Sequence, residues 1–103
     1  MSYAYWLHEK VQIDFNEGFS WYENKLDGLG YEFLAAIETK IAEIVKHPET
    51  FGSKGNSKYR EALLNRFPYV IVYQIYKRKR EIFISAIHHT KKSPRQKYRG
   101  RKI

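Results

Sequence analysis

The sequence predicts an α+β fold, a helical hairpin packed on a mainly antiparallel four-stranded sheet in the order β-α-α-β-β-β. Three observations carry that prediction. Two runs rich in Val, Ile, Tyr and Phe, Tyr69–Tyr76 and Ile82–Ile87, flank the cationic stretch Lys77-Arg78-Lys79-Arg80 and read as an antiparallel hairpin. Two earlier segments repeat apolar residues at spacings of three and four, the signature of amphipathic helices. The break between those segments is short, which makes the helices antiparallel neighbours.

In chain order, residues 2–7 form a short strand by composition. From His8 to about Lys25 the stripe Val11, Phe15, Phe19, Tyr22 and Leu26 predicts a first helix, with Glu9, Asp14, Glu17 and Glu23 on its other faces. Asp27-Gly28 ends it, since Gly28 or Gly30 can take the left-handed conformation of a C-terminal cap. Leu29, Phe33, Ile37, Ile41 and Ile44/Val45 stripe a second helix to Lys46, which Pro48 closes. Residues 50–57 have two glycines and no periodicity, and are a loop. Lys58–Asn65 contains the helix-forming Glu61-Ala62-Leu63-Leu64, yet its length and position favour a third strand. Pro68 can open the next strand, where no ladder donor is needed. Both alternating sets of Tyr69–Tyr76 are apolar, which places that strand centrally, covered on each side. Beyond His89 the basic tail, residues 90–103, is expected to be irregular and partly mobile.

At 103 residues the chain is one domain, able to hide roughly 60–70% of its unfolded surface in a single core. Trp6 and Trp21 are assigned to that core. The absence of cysteine removes disulfides and thiolate metal sites. No stretch approaches the roughly 20 apolar residues of a membrane helix, and the N-terminus lacks a secretory leader pattern. A cytoplasmic protein with no membrane partner is the expectation. Charge is unevenly placed. Residues 1–50 carry four basic against nine acidic side chains, residues 51–103 fifteen against two, within a total of +8. Such asymmetry predicts a polyanionic partner for the second half, against the alternative of a merely solubilising surface.

Several residue blocks resemble one known family over nearly the whole chain. They are Gly28-Leu29-Gly30 with Phe33-Leu34, His47-Pro48-Glu49, Tyr59-Arg60-Glu61, Arg66-Phe67-Pro68-Tyr69 with the strand after it, and Ala86-Ile87-His88-His89-Thr90-Lys91-Lys92-Ser93-Pro94. Together they resemble the RelE/ParE toxins of type II toxin–antitoxin systems. The resemblance implies a cognate antitoxin that wraps the toxin as a hetero-oligomer, covering the helical hairpin and often a sheet edge. It also implies one of two targets: RelE-like members cut mRNA in the ribosomal A site, and ParE-like members poison DNA gyrase. The Arg66–Tyr69 turn and the strand ending His-x-x-Lys-x-x-Pro stand closer to the ParE side. A non-toxic basic nucleic-acid-binding module is the third reading.

Cleavage of RNA through its 2′-hydroxyl would need a base, cations for the phosphorane and an acid for the leaving oxygen. Arg60, Arg66 and His88 (or His89) are the catalytic candidates, with Lys54 and Lys58 as further cations and Tyr98 in the place of the C-terminal tyrosine that RelE-like enzymes often use. Successive strand residues face opposite ways, so only one of His88 and His89 can share a face with Arg60. The competing assignment pairs Arg60 and Arg66 with Glu61, Glu81 or a helix carboxylate. Lys54, Lys58, Lys91, Lys92, Arg95 and Tyr98 are the candidates for contact with a target or nucleic acid. His8 and His47 fall at element ends as caps or solvent-facing groups. No residue spacing suggests a metal or a cofactor.

Overall fold

The computed structural model describes residues 3–52, 58–93 and 97–101. Its elements are β1 (Ala4–Leu7), α1 (Val11–Lys25), α2 (Leu29–Lys46), β2 (Tyr59–Leu63), β3 (Tyr69–Tyr76) and β4 (Glu81–His89). The sheet order is β1-β4-β3-β2. β3 pairs antiparallel with both β2 and β4, while β1 lies parallel to β4. The predicted hairpin is therefore the centre of the sheet, and the predicted third strand is β2.

α1 begins at Val11, three residues after the predicted start at His8, for a reason in the sheet. The His8 N–H still donates to the Ile84 carbonyl, 2.9 Å away, so the chain cannot turn helical until it has left β4. Gly28, at φ +89°, makes the predicted break in the left-handed region that a side chain disfavours. Glu23 fixes the turn, its carboxylate accepting the Gly28 and Gly30 N–H groups at 2.9 Å each. A carboxylate there also complements the positive end of α2.

The face of the sheet toward the helices carries Tyr69, Ile71, Tyr73, Ile82, Ile84 and Ile87, packed against Val11, Phe33, Ile37 and Ile44. Complete burial of aliphatic and aromatic side chains of this size stabilises by about 1.5–3 kcal/mol each. The middle of the α2 stripe, Phe33, Ile37, Ile41 and Ile44, is buried as predicted, with Leu29 and Val45 partly so, but α1 differs. Leu26 is 62% exposed, and both tryptophans project into solvent, Trp6 at 53% and Trp21 at 59% exposure. Their assignment to the core is corrected: Trp6 lies on an edge strand whose four residues are all exposed, and Trp21 lies off the α1 stripe.

A β-bulge decides the parity of β4. Val72 pairs with Ala86 and Tyr73 with Ile84, leaving Ser85 as the extra residue. The bulge sends Ile87 and His89 to the helix side, and Ala86 and His88 to the other. On that second face Val70, Val72 and Ala86 form a small apolar cluster with Tyr59.

The described part of the tail, residues 97–101, is irregular as expected but lies back over this second face. The Ser85 hydroxyl accepts the Arg99 N–H at 2.7 Å and is within reach of the carbonyls of Lys97 and Arg99. Lys97 pairs with Glu61 on β2 at 3.0 Å, Arg99 with Asp14 on α1 at 2.9 Å and Arg101 with Glu81 on β4 at 2.8 Å. Part of the basic half is thus neutralised inside the molecule.

Candidate functional site

α1 is a ridge between two clefts. On one flank, α1, α2 and β1 enclose an apolar groove of about 470 Å³ whose walls include Tyr5, Leu7, Phe15, Phe19, Tyr31 and Leu34. Phe15 and Phe19 belong to the α1 stripe but are only half-buried, because they line the wall of this open groove. Tyr31 is 65% exposed and meets Phe19 edge-on at 4.9 Å. The groove opens beside β1, the outer strand of the sheet. Apolar side chains left in water along a concave surface mark a place where another chain can settle. The sequence places Phe15 and Phe19 on the buried stripe of α1 and singles out none of these residues as a site. Tyr31, an aromatic standing off the α2 stripe, was the available signal.

The other flank of α1 faces the end of β4. A polar cleft of about 420 Å³ there is lined by Lys10, Asp14, Tyr69, His88, Lys92 and Arg99, among others. Asp14 dominates it. One carboxylate oxygen accepts the Ile87 N–H at 3.0 Å, and both oxygens take the Arg99 guanidinium, at 2.9 and 3.1 Å. β1 pairs with β4 only as far as Ile84, so beyond it Asp14 takes the place of a neighbouring strand for the Ile87 donor. His88 Nε2 sits 3.2 Å from the Lys92 carbonyl. Burial holds its imidazole below the usual histidine range, against a smaller upward pull from the Lys92 carbonyl, so the ring is neutral at pH 7.

The three cleavage candidates do not converge. Arg60 stands opposite Tyr73 in the β2–β3 ladder, on the helix side, and its Nη1 donates to the carbonyls of Phe51 at 2.6 Å and Glu49 at 3.4 Å. Arg66 lies in the turn before β3 and pairs with Glu32 of α2 at 2.8 Å. His88, opposite Val70, points to the other face. His89 shares the face of Arg60, but its partner Tyr69 and Arg60's partner Tyr73 are four residues apart, about 13 Å along a strand.

Among the binding candidates, Lys58 is exposed beside the Tyr59 ring. Lys91 is exposed, and Lys92 reaches Glu17 at 3.8 Å. Tyr98 stacks on Tyr59 with ring centroids 5.0 Å apart and donates its hydroxyl to Glu61. Burial and the Glu61 carboxylate both raise the Tyr98 pKa, so the phenol remains a donor at neutral pH. Lys54 and Arg95 fall outside the described residues. Among the described residues, no cluster of three His, Asp or Glu side chains could hold a metal, and no helix is long and apolar enough to cross a membrane.

Comparison with solved structures finds the same architecture in several chains of known kind. A chromosomal ParDE system from P. aeruginosa superposes with a TM-score of 0.71 at 16% identity, over 87% of this chain and 98% of that one. The intact E. coli RelBE toxin–antitoxin complex gives 0.63 at 18% identity, over 88% and 100%. The isolated E. coli RelE toxin gives 0.61 at 20% identity, over 90% and 89%. No curated protein matches the chain. Residues 5–94 match the family described as the ParE toxin of type II toxin–antitoxin systems, parDE, and a match over so much of the chain means that this protein belongs to the ParE toxin family.

Proposed function

We propose that the protein inhibits growth in the ParE manner, by binding DNA gyrase in the cytoplasm, and that a cognate antitoxin silences it as a hetero-oligomer. One observation carries the preference over RelE-like mRNA cleavage. The basic groups that would stabilise a phosphorane, Arg60 and Arg66, are tied to the Glu49–Phe51 carbonyls and to Glu32, and the sheet separates them from His88. A base and its cations must reach one phosphate together for cleavage, and here they diverge. The higher TM-score with the ParDE structure and the ParE family match support the same side.

The antitoxin is assigned to the apolar groove between α1, α2 and β1. An amphipathic segment would there bury Phe15, Phe19, Tyr31 and Leu34, and could extend the sheet along β1. A plain nucleic-acid-binding module is less favoured because a third of the basic residues of the second half are matched internally, by Glu61, Glu81, Asp14, Glu32 and Glu49.

The test is pulse expression in cells, reading mRNA ends and chromosomal breaks together, with wild type, Arg60→Ala and His88→Ala. Broken DNA with intact mRNA is the expected result. Ribosome-phased mRNA cuts lost in either variant would overturn the proposal in favour of a nuclease.

A further inference from the structure

The flank of α1 opposite the antitoxin groove has a second feature. Beside the polar cleft lies another of about 640 Å³, lined by Ser20, Trp21, Tyr69, His89, Lys91 and Lys92 among others. The two clefts share Glu17, Tyr69, His89 and Lys92, so they form one trough along α1. Trp21 stands at one end, 59% exposed, with the Lys25 ammonium 4.4 Å from its ring centroid. Lys91 and Lys92 stand exposed on the opposite lip, and Lys10 at the far end. The two carboxylates in the trough are already engaged, Asp14 by Arg99 and Glu17 by Lys92.

We propose that this trough is the surface that grips the protein target, and that it takes an acidic peptide segment carrying one apolar or aromatic anchor. The inference rests on the gyrase reading and adds to it a site and a partner chemistry. An indole left in solvent at the mouth of a cleft is the kind of group that dominates protein interfaces. Among the described residues Lys10, Lys25 and Lys91 have no carboxylate partner, and they stand along the trough where they complement acidic side chains on an incoming segment. α1 would then divide two partners between its flanks, with residues 12, 15, 16 and 19 toward the groove and 13, 14, 17, 20, 21 and 24 toward the trough.

The test is inhibition of purified gyrase supercoiling by the wild-type protein, Trp21→Ala and the double variant Lys91→Glu/Lys92→Glu, each checked for fold by circular dichroism. Loss of an interface tryptophan of this type predicts at least about 30-fold weaker inhibition. The lysine reversals predict weaker inhibition together with a flatter salt dependence. Both variants should still bind the cognate antitoxin. Undiminished inhibition by both variants would overturn the trough assignment alone, and a wild-type protein that leaves gyrase unaffected would overturn the gyrase reading with it. Loss of antitoxin binding would give the trough to the antitoxin and refute the inference. So would tight binding of a single-stranded oligonucleotide that Trp21→Ala abolishes while gyrase inhibition stays intact.

Discussion

Replacing Asp14 by Ala removes three hydrogen bonds at one stroke, and the structure sets the scale of the loss. The Ile87 N–H at 3.0 Å loses a charged acceptor, worth about 1.5–3 kcal/mol. The Arg99 guanidinium loses both its contacts, at 2.9 and 3.1 Å. The side chains of this pair are 18% and 11% exposed, so it sits between a surface pair of about 0–1 kcal/mol and a buried one of about 3–5 kcal/mol, and about 1 kcal/mol is a fair share. The total is about 3 kcal/mol, or roughly 12–24 °C in Tm for a domain of this size. The double variant Asp14→Ala/Arg99→Ala should be less destabilised than the two single changes added, by about 1 kcal/mol, because the pair is lost only once. Amide exchange gives the sharper reading. Ile87 should lose protection in Asp14→Ala, while the amide of His8, bound to Ile84 on the other side of the same edge, keeps it. An unchanged Ile87 exchange rate, or additive single variants, would refute the claim that Asp14 stands in for a strand.

Two further predictions follow from packing and titration. A Cβ at Gly18 would lie 2.4 Å from Cε2 of the fully buried Phe33, so Gly18→Ala should destabilise by about 1–2 kcal/mol despite the better helix propensity of Ala; a raised urea midpoint would contradict it. His88 is held below its ordinary pKa of 6.5 by burial, so the unfolded chain binds its proton more readily than the native one. Stability present above about pH 6.5 should therefore fall as pH drops toward the native value. A melting series from pH 7 to 5 should show this slope in the wild type and its reduction in His88→Gln; parallel curves would refute it.

Elements with a strong local pattern were legible at the residue level. α2 and β3 occupy the predicted spans, since proline, glycine and an unbroken apolar period mark them. Parity on β4 was not legible: alternation alone puts His88 on the same side as Ile84, and the Ser85 bulge reverses it. That bulge follows from tertiary contacts, as the Ser85 hydroxyl serves a tail twelve or more residues away, and no local signal marks it. The separation of Arg60 from either histidine followed in part from strand alternation, but the carbonyls that hold Arg60 come from a loop with no period of its own. The tryptophans show a different failure. Composition makes Trp a core residue on average, and only the packed positions of β1 and α1 reveal that these two are not. The charge asymmetry was real, but its meaning was partly internal, because Arg99 finds Asp14 and Arg66 finds Glu32 across the boundary between the two halves.

The parallel pairing of β1 with β4 has a consequence for how the protein comes into being. The first strand of the chain finds its partner in the last, and the Arg99–Asp14 contact joins residues 85 positions apart. Such closures are late and slow compared with forming a helical hairpin. During synthesis α1 and α2 can dock on each other early, yet the sheet cannot be finished until β4 has left the ribosome. Both flanks of α1, the apolar groove and the trough, therefore mature together once β4 is made, each requiring the sheet beneath it. A nascent chain stalled before β4 would present neither surface whole, so neither partner proposed for these flanks could dock before β4 is made.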